Sequence, residues 1–148
     1  DSSTGVVDII SREDGDVYSL MVASNIVKAI GRGFSPEKAM KLLDENMAFE
    51  LISLRDLLGK SRSDIRRIKG RIIGKDGKAR RIIEETTGTY VSVYGDTVGI
   101  IGDIEHVRIA KKAIMMLIEG RQHSTVYRYL YRMQREEKRR RRTMLWER

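Results

Sequence analysis

At 148 residues the chain can hold one ordinary domain or two small ones, and a hydrophobic content of 41% with only 6% aromatics predicts an aliphatic core. It has no cysteine, which excludes disulfides and thiolate metal sites and fits a reducing, cytoplasmic setting. No apolar run is long enough for a membrane span and no signal-peptide pattern is present.

The net charge of +8 is unevenly held. Residues 60–81 carry 10 basic and 2 acidic residues, residues 121–148 carry 10 and 3, and the remaining segments are net acidic. Two basic blocks in one small chain point to a polyanion partner, most simply nucleic acid. A solvated charged helix face is the alternative.

In chain order, residues 6–10 alternate and are β-prone, Glu13-Asp14-Gly15-Asp16 is a turn, and Val17-Tyr18 is expected to pair back as a short strand. Met21, Val22, Ile26, Val27 and Ile30 follow at helical spacing, and Gly31-Arg32-Gly33 ends that helix. Ser35 caps a second helix, with Pro36 at its first position and Met40, Leu42 and Leu43 on its apolar face. Residues 47–54 predict a strand and 56–62 a connection. Ser63 is placed to cap a helix through Ile65, Ile68, Ile72 and Ile73, which Gly74-Lys75-Asp76-Gly77 interrupts. A helix over 78–87 turns Ile82 and Ile83 inward and stops at Gly88. Residues 90–94 and 98–101 form a hairpin across Gly95-Asp96. A long helix over 104–119 carries Val107, Ile109, Ala110, Ile114, Leu117 and Ile118 and ends at Gly120. From Ser124 a last helix carries Val126, Tyr127, Leu130 and Tyr131 into five consecutive basic residues, 138–142; residues 143–148 are left unassigned.

Residues 47–120 therefore read strand, helix, Gly-loop, helix, strand, strand, helix, a complete unit with its own core. An internal repeat bears on residues 1–46. Thr4-Gly5-Val6-Val7 resembles Thr87-Gly88-Thr89-Tyr90, Asp14-Gly15-Asp16-Val17 resembles Gly95-Asp96-Thr97-Val98, and Lys28-Ala29-Ile30 recurs as Lys112-Ala113-Ile114, at offsets of 83, 81 and 84 residues. On this reading residues 1–46 are the C-terminal part of a first such domain plus an inter-domain helix, with the rest preceding Asp1. The alternative is that any strand-hairpin-helix resembles any other. Residues 121–148 form a basic C-terminal helix or tail.

The segment Arg71-Ile72-Ile73-Gly74-Lys75-Asp76-Gly77-Lys78 carries the chemistry. Its glycines permit a sharp turn and leave no Cβ in the way of a close ligand. The following helix aims unpaired N–H groups at the loop, where phosphate can dock. Lys75 and Lys78 add charge, and Arg71, Arg80 and Arg81 surround the site. Ile72 and Ile73 are expected to line an apolar groove for bases, with base-edge contacts from the strand backbone at Val91 and Val93. A bare G-x-x-G occurs often by chance. Between two helices, and followed by a hairpin and a long helix, it has the order of a KH domain, in which such a loop clamps about four nucleotides.

Residues 67–78, RIKGRIIGKDGK, are similar to the core of the Partner-of-Nob (Dim) family of small-subunit ribosome assembly proteins, and less so to their Krr relatives. Val91-Ser92-Val93-Tyr94-Gly95, Ala113-Ile114 with Leu117-Ile118-Glu119-Gly120, and Ser124-Thr125-Val126-Tyr127-Arg128-Tyr129-Leu130 resemble the same family. Residues 29–39, AIGRGFSPEKA, resemble its inter-domain helix, and the short chain without extensions looks archaeal. The resemblance implies a type I KH domain in an α/β (α+β) chain, preceded by half of a second. It also implies binding near the 3′ end of small-subunit ribosomal RNA. Its implied partners are the Nob endonuclease and the α subunit of initiation factor two.

Several features read plainly. His106 and His123 have no cysteine partners and no metal spacing, so they are surface or helix residues. Glu84 and Glu85 sit beside basic neighbours, where salt bridging outweighs acid–base work. No nucleophile–base pattern and no P-loop suggest an enzyme, and no cofactor or metal is expected. Lys138, Arg139 and Arg140 lie in a block that reads as a nucleic-acid arm ordered on RNA, or else as a solvated helix end. Tyr127, Tyr129 and Tyr131 can stack on bases, although Tyr127 and Tyr131, four apart, are expected to pack on the domain. The rival functions are a protein-interaction scaffold and an RNA chaperone or translation-associated factor. Steep salt dependence of RNA binding separates a binder from a scaffold.

Overall fold

The structure is a computed structural model that describes residues 16–146. The expected strand at residues 6–10 lies outside them, as does most of the turn that follows. Helix α1 (Val17–Gly31) begins where the Asp16 carboxylate accepts the Ser19 N–H at 2.6 Å. That cap corrects the expected strand at Val17-Tyr18, because a satisfied N-cap draws both residues into the first helical turn. Helix α2 (Pro36–Met40) starts at Ser35 as predicted and tightens into a 3-10 turn over Lys41–Leu43. Only Ala39 and Leu42 of this pair of turns are buried; Met40 and Leu43, placed inward by the sequence, face solvent.

Strand β1 (Met47–Ser53) leads into a short helix α3 (Leu54–Leu58), where the sequence suggested only a connection. Leu54 is fully buried, and the Ser53 hydroxyl caps this helix. Helix α4 (Arg62–Ile73) is capped by Ser61, not Ser63, through the Asp64 N–H. Its inward residues Ile65, Ile68 and Ile72 recur at helical spacing. Helix α5 (Lys78–Thr87) ends at Gly88 in the left-handed region. Strands β2 (Tyr90–Tyr94) and β3 (Thr97–Asp103) form the hairpin across Gly95-Asp96. Helix α6 (Ile104–Ile118) follows, and helix α7 (His123–Trp146) closes the described chain.

The three strands form one antiparallel sheet in the order β1-β3-β2. On one face Val98 and Ile100 join Ile68, Ile72, Ile83, Ile114, Leu117 and Leu130 in the main core. Each such side chain contributes about 1.5–3 kcal/mol by burial. On the other face Ile101 packs with Ala29, Phe34, Ala39 and Leu42. The central strand is therefore buried from both sides. A Cβ at Gly99 would lie 2.7 Å from the Phe34 ring, so this glycine lets the ring sit against the sheet. Helix α7 extends the main core with Val126, Tyr129 and Leu130. Tyr129, rather than Tyr131, is the packed tyrosine; Tyr131 is 43% exposed.

Candidate nucleic-acid interface

The corner between α4 and α5 is set by backbone. Gly74 ends α4 at φ 76 and ψ 173, and a Cβ there would meet both the Cβ and the backbone N of Ala79 at 2.7 Å. Lys75, Asp76 and Gly77 form a single 3-10 turn in which Asp76 is itself left-handed, at φ 56. Asp enters that region at a lower cost than most residues other than glycine. The turn presents Lys75, Asp76 and Lys78 to solvent at the N-terminus of α5.

Beside the corner runs a groove of about 790 Å³ along α4. Gly70 and Ile73 form part of its floor with the edge of Ile65. Its rim is Arg62, Arg66 and Lys69 from α4 with Arg55 and Lys60 before it. The opposite bank carries Asp96 of the hairpin turn, which is pinned there because the Leu54 N–H donates to the Asp96 carbonyl at 2.8 Å. None of the five rim cations forms an ion pair with a described carboxylate. A smaller hollow of about 430 Å³ lies under the corner, between Gly74, Lys75 and Lys78 and the first turn of α7 at His123 and Tyr127. Gly70 borders both spaces. The Lys78 ammonium stands 5.9 Å from the Tyr127 ring centre, and burial, then Tyr131, pushes the Tyr127 phenol pKa up.

The structure sorts the predicted site residues. Gly74, Lys75, Asp76, Gly77 and Lys78 form the corner, Ile73 reaches the groove, and Arg81 is exposed on α5. Arg80 is also exposed but lies 3.7 Å from Glu84, the salt bridge expected of that carboxylate. Ile72 does not line the groove: it is fully buried in the core, on the inward stripe of α4. Arg71 borders the hollow under the corner, but its guanidinium is held by the fold, donating to the Leu117 carbonyl at 3.1 Å and to the Arg121 carbonyl, so it closes the C-terminal end of α6. Val91 is buried, and its N–H on the free edge of β2 already donates to Glu84 at 3.1 Å. Val93, two residues along, directs its backbone to that same edge. Lys138, Arg139 and Arg140 continue α7 as an exposed helix rather than a loose arm.

Both histidines are structural. His123 bonds the Arg71 carbonyl at 2.9 Å, and His106 bonds Glu137 at 2.6 Å. Burial alone would raise the Glu137 carboxyl, but His106 and Arg141 more than offset it and hold its pKa below the usual carboxylate range. No cluster of potential metal ligands occurs among the described residues.

Sequence reasoning missed Arg55, Lys60, Arg62, Arg66 and Lys69. The signal was available for most of them: residues 62, 66, 69 and 73 stand at i, i+4, i+7 and i+11. Total charge marks the basic block, but only this helical spacing resolves it into faces.

A strand, two helices meeting at a G-x-x-G corner, a hairpin and a long helix, with the sheet in order β1-β3-β2, define a type I KH domain. The family model for the second KH domain of PNO1 proteins, described as "Eukaryotic type KH-domain (KH-domain type I)", matches residues 48–135. A KH domain-containing protein of Methanocaldococcus jannaschii is 48% identical over 131 residues, covering 88% of this chain and 57% of its own length. The pre-rRNA-processing protein PNO1 of Candida albicans is 33% identical, covering 76% of this chain and 41% of its own. The crystal structure of Dim2p from Pyrococcus horikoshii is similar at TM-score 0.72 and 48% identity, over 82% of this chain and 70% of that one. A complex from the same organism containing a/eIF2α, aDim2p and rRNA gives TM-score 0.75 and 47% identity, over 85% of this chain and 68% of that one. The chain belongs to the PNO1 (Dim-type) family of KH proteins, the family its sequence resembles. It spans about half the length of the curated relatives it matches.

Proposed function

We propose that this chain binds single-stranded RNA along α4, with the corner 74–77 gripping the RNA backbone, and that it does so in assembly of the small ribosomal subunit. The observation that carries the proposal is the row of unpaired cations over the Gly70–Ile73 floor, running directly into the corner. Cations over an apolar floor suit a phosphate backbone whose bases lie inward. The residues proposed to contact RNA are Arg55, Lys60, Arg62, Arg66, Lys69, Gly70, Ile73, Gly74, Lys75, Gly77 and Lys78, with Arg81 at the rim and the Val93 backbone at the strand edge. The role is binding, without catalysis.

The pre-rRNA-processing name of the PNO1 relatives and the rRNA in the Pyrococcus complex support the ribosomal setting. The RNA is proposed to be the 3′ region of small-subunit rRNA, and the protein partners to be the α subunit of initiation factor two and a Nob-type endonuclease, all in the cytoplasm. The division into a partial first KH-like domain over 1–46, a KH domain over 47–120 and a basic C-terminal segment over 121–148 belongs to the same proposal. Crosslinking the full chain to RNA in cells and sequencing the bound fragments tests it. Reads should concentrate near the 3′ end of small-subunit rRNA; an even spread over unrelated transcripts would rule out the ribosomal assignment.

A further inference from the structure

The C-terminal basic block has a pattern that the α4 groove does not use. Arg128, Arg132, Arg135, Arg139 and Arg142 follow one another on α7 at intervals of four, three, four and three residues. At 3.6 residues per turn they fall within an arc of roughly 80°, and at 1.5 Å per residue they span about 21 Å. All five are exposed, and none forms an ion pair with a described carboxylate. Glu137 lies off this stripe, engaged by His106 and Arg141. Like charges at such spacing repel and weaken a helix; among the five only Arg132 also packs on the fold, its guanidinium 5.7 Å from the Tyr129 ring centre.

Its first three arginines border a second groove, of about 810 Å³, between α6 and α7. Met115 and Met116 give this groove an apolar lining, and the exposed Tyr131 ring stands on its wall. Arg121 and Thr125 line it next to His123 and Tyr127, which line the hollow under the corner. The corner and the stripe are therefore joined through the first turns of α7.

We infer that this arginine stripe is a second RNA-binding track, which holds the flank of the strand whose centre is clamped at 74–77. The inference rests on the RNA reading of the α4 groove. Guanidinium groups match phosphate in a planar fork, and the Tyr131 face suits a stacked base. An acidic protein is the competing occupant. A protein ligand needs a continuous apolar area to bury, and beyond residue 135 the stripe offers Arg139, Arg142 and a single exposed ring, Trp146, which like Tyr131 suits a stacked base. A nucleic-acid backbone needs only cations at short, regular intervals.

The test replaces Arg128, Arg132 and Arg135 together by Gln, which has nearly the helix propensity of Arg. Binding of the full chain is measured to an RNA of about four nucleotides, which fills the clamp alone, and to one three times as long. The longer RNA should lose at least tenfold in affinity while the short one is unchanged. With about 0.7 of salt slope per phosphate on a single strand, the slope for the longer RNA should fall by about 2. The wild type's advantage then shrinks roughly 18-fold between about 50 and 200 mM salt. Unchanged affinity for the longer RNA, or equal loss for both RNAs, overturns the inference. Should the wild type bind only the longer RNA and the variant lose it, the stripe stands and the clamp reading fails. Replacing Arg139 and Arg142 by Gln, away from the core, gives a smaller loss of the same kind and guards against a folding artefact at the groove.

Discussion

Gly70 gives the sharpest prediction, because fold and function pull on it in opposite directions. It lies inside α4, exposed, and a Cβ built there meets nothing within 4 Å. Glycine in a helix interior costs about 1 kcal/mol relative to alanine, so the fold supplies no reason for it. Gly70→Ala should therefore stabilise the protein by about 1 kcal/mol, which for a chain of this size raises Tm by about 4 °C. The same methyl stands about 1.5 Å above the floor shared by the groove and the hollow under the corner. A base or sugar lifted by even 0.5–1 Å loses about a quarter to a half of each contact. Overpacking of this kind costs on the order of 1–3 kcal/mol, about fivefold or more in Kd. Thermal melts and fluorescence anisotropy with a short RNA read both quantities. A variant that melts higher and binds RNA within twofold of wild type would refute the placement of RNA over Gly70.

Arg71→Ala should act through stability, not affinity. Losing two charge-assisted bonds to the Leu117 and Arg121 carbonyls costs roughly 2 kcal/mol in urea titrations, whereas Arg66→Ala should leave stability within about 0.5 kcal/mol and weaken RNA binding. Asp76→Asn keeps a residue that tolerates the left-handed backbone and removes a negative charge beside the phosphate site. It should tighten RNA binding by up to about fivefold in anisotropy titrations, in line with a surface charge interaction of at most about 1 kcal/mol. Glu137→Gln should weaken the α6–α7 link. Because the Glu137 pKa is depressed, its contribution is present above the ordinary value of 4.5 and is lost as pH falls through the lower folded value. Melts at falling pH should show wild type and variant converge below that value.

The unit from β1 to α6 was legible because its elements are local. Helical spacing set α4, α5 and α6, and Gly88 and Gly120 stopped their helices at positive φ, as expected of such residues. The first turn of α1 was misread because Val and Tyr favour strands, while a single aspartate cap decides the matter. Ile72 was a misuse of a correct pattern, since the period that puts Ile65 and Ile68 inward carries Ile72 with them. Arg71 is different in kind. Its partners lie 46 and 50 residues away, and no local pattern reports a guanidinium's distant carbonyls. The Val91 N–H goes to a glutamate only seven residues back, across the turn between α5 and β2, a pairing that neither helical nor strand spacing reports. Of the three predicted basic tail residues, only Arg139 falls on the stripe, because successive helical residues point about 100° apart.

The claim that the corner at 74–77 grips RNA is tested most directly by Lys75→Asp. Lys75 is exposed and forms no ion pair with a described carboxylate, so reversing its charge should leave stability within about 0.5 kcal/mol. Removing a phosphate contact and adding repulsion should weaken binding of an RNA of about four nucleotides by about a hundredfold at low salt. A folded Lys75→Asp protein that binds this RNA as tightly as wild type contradicts the account.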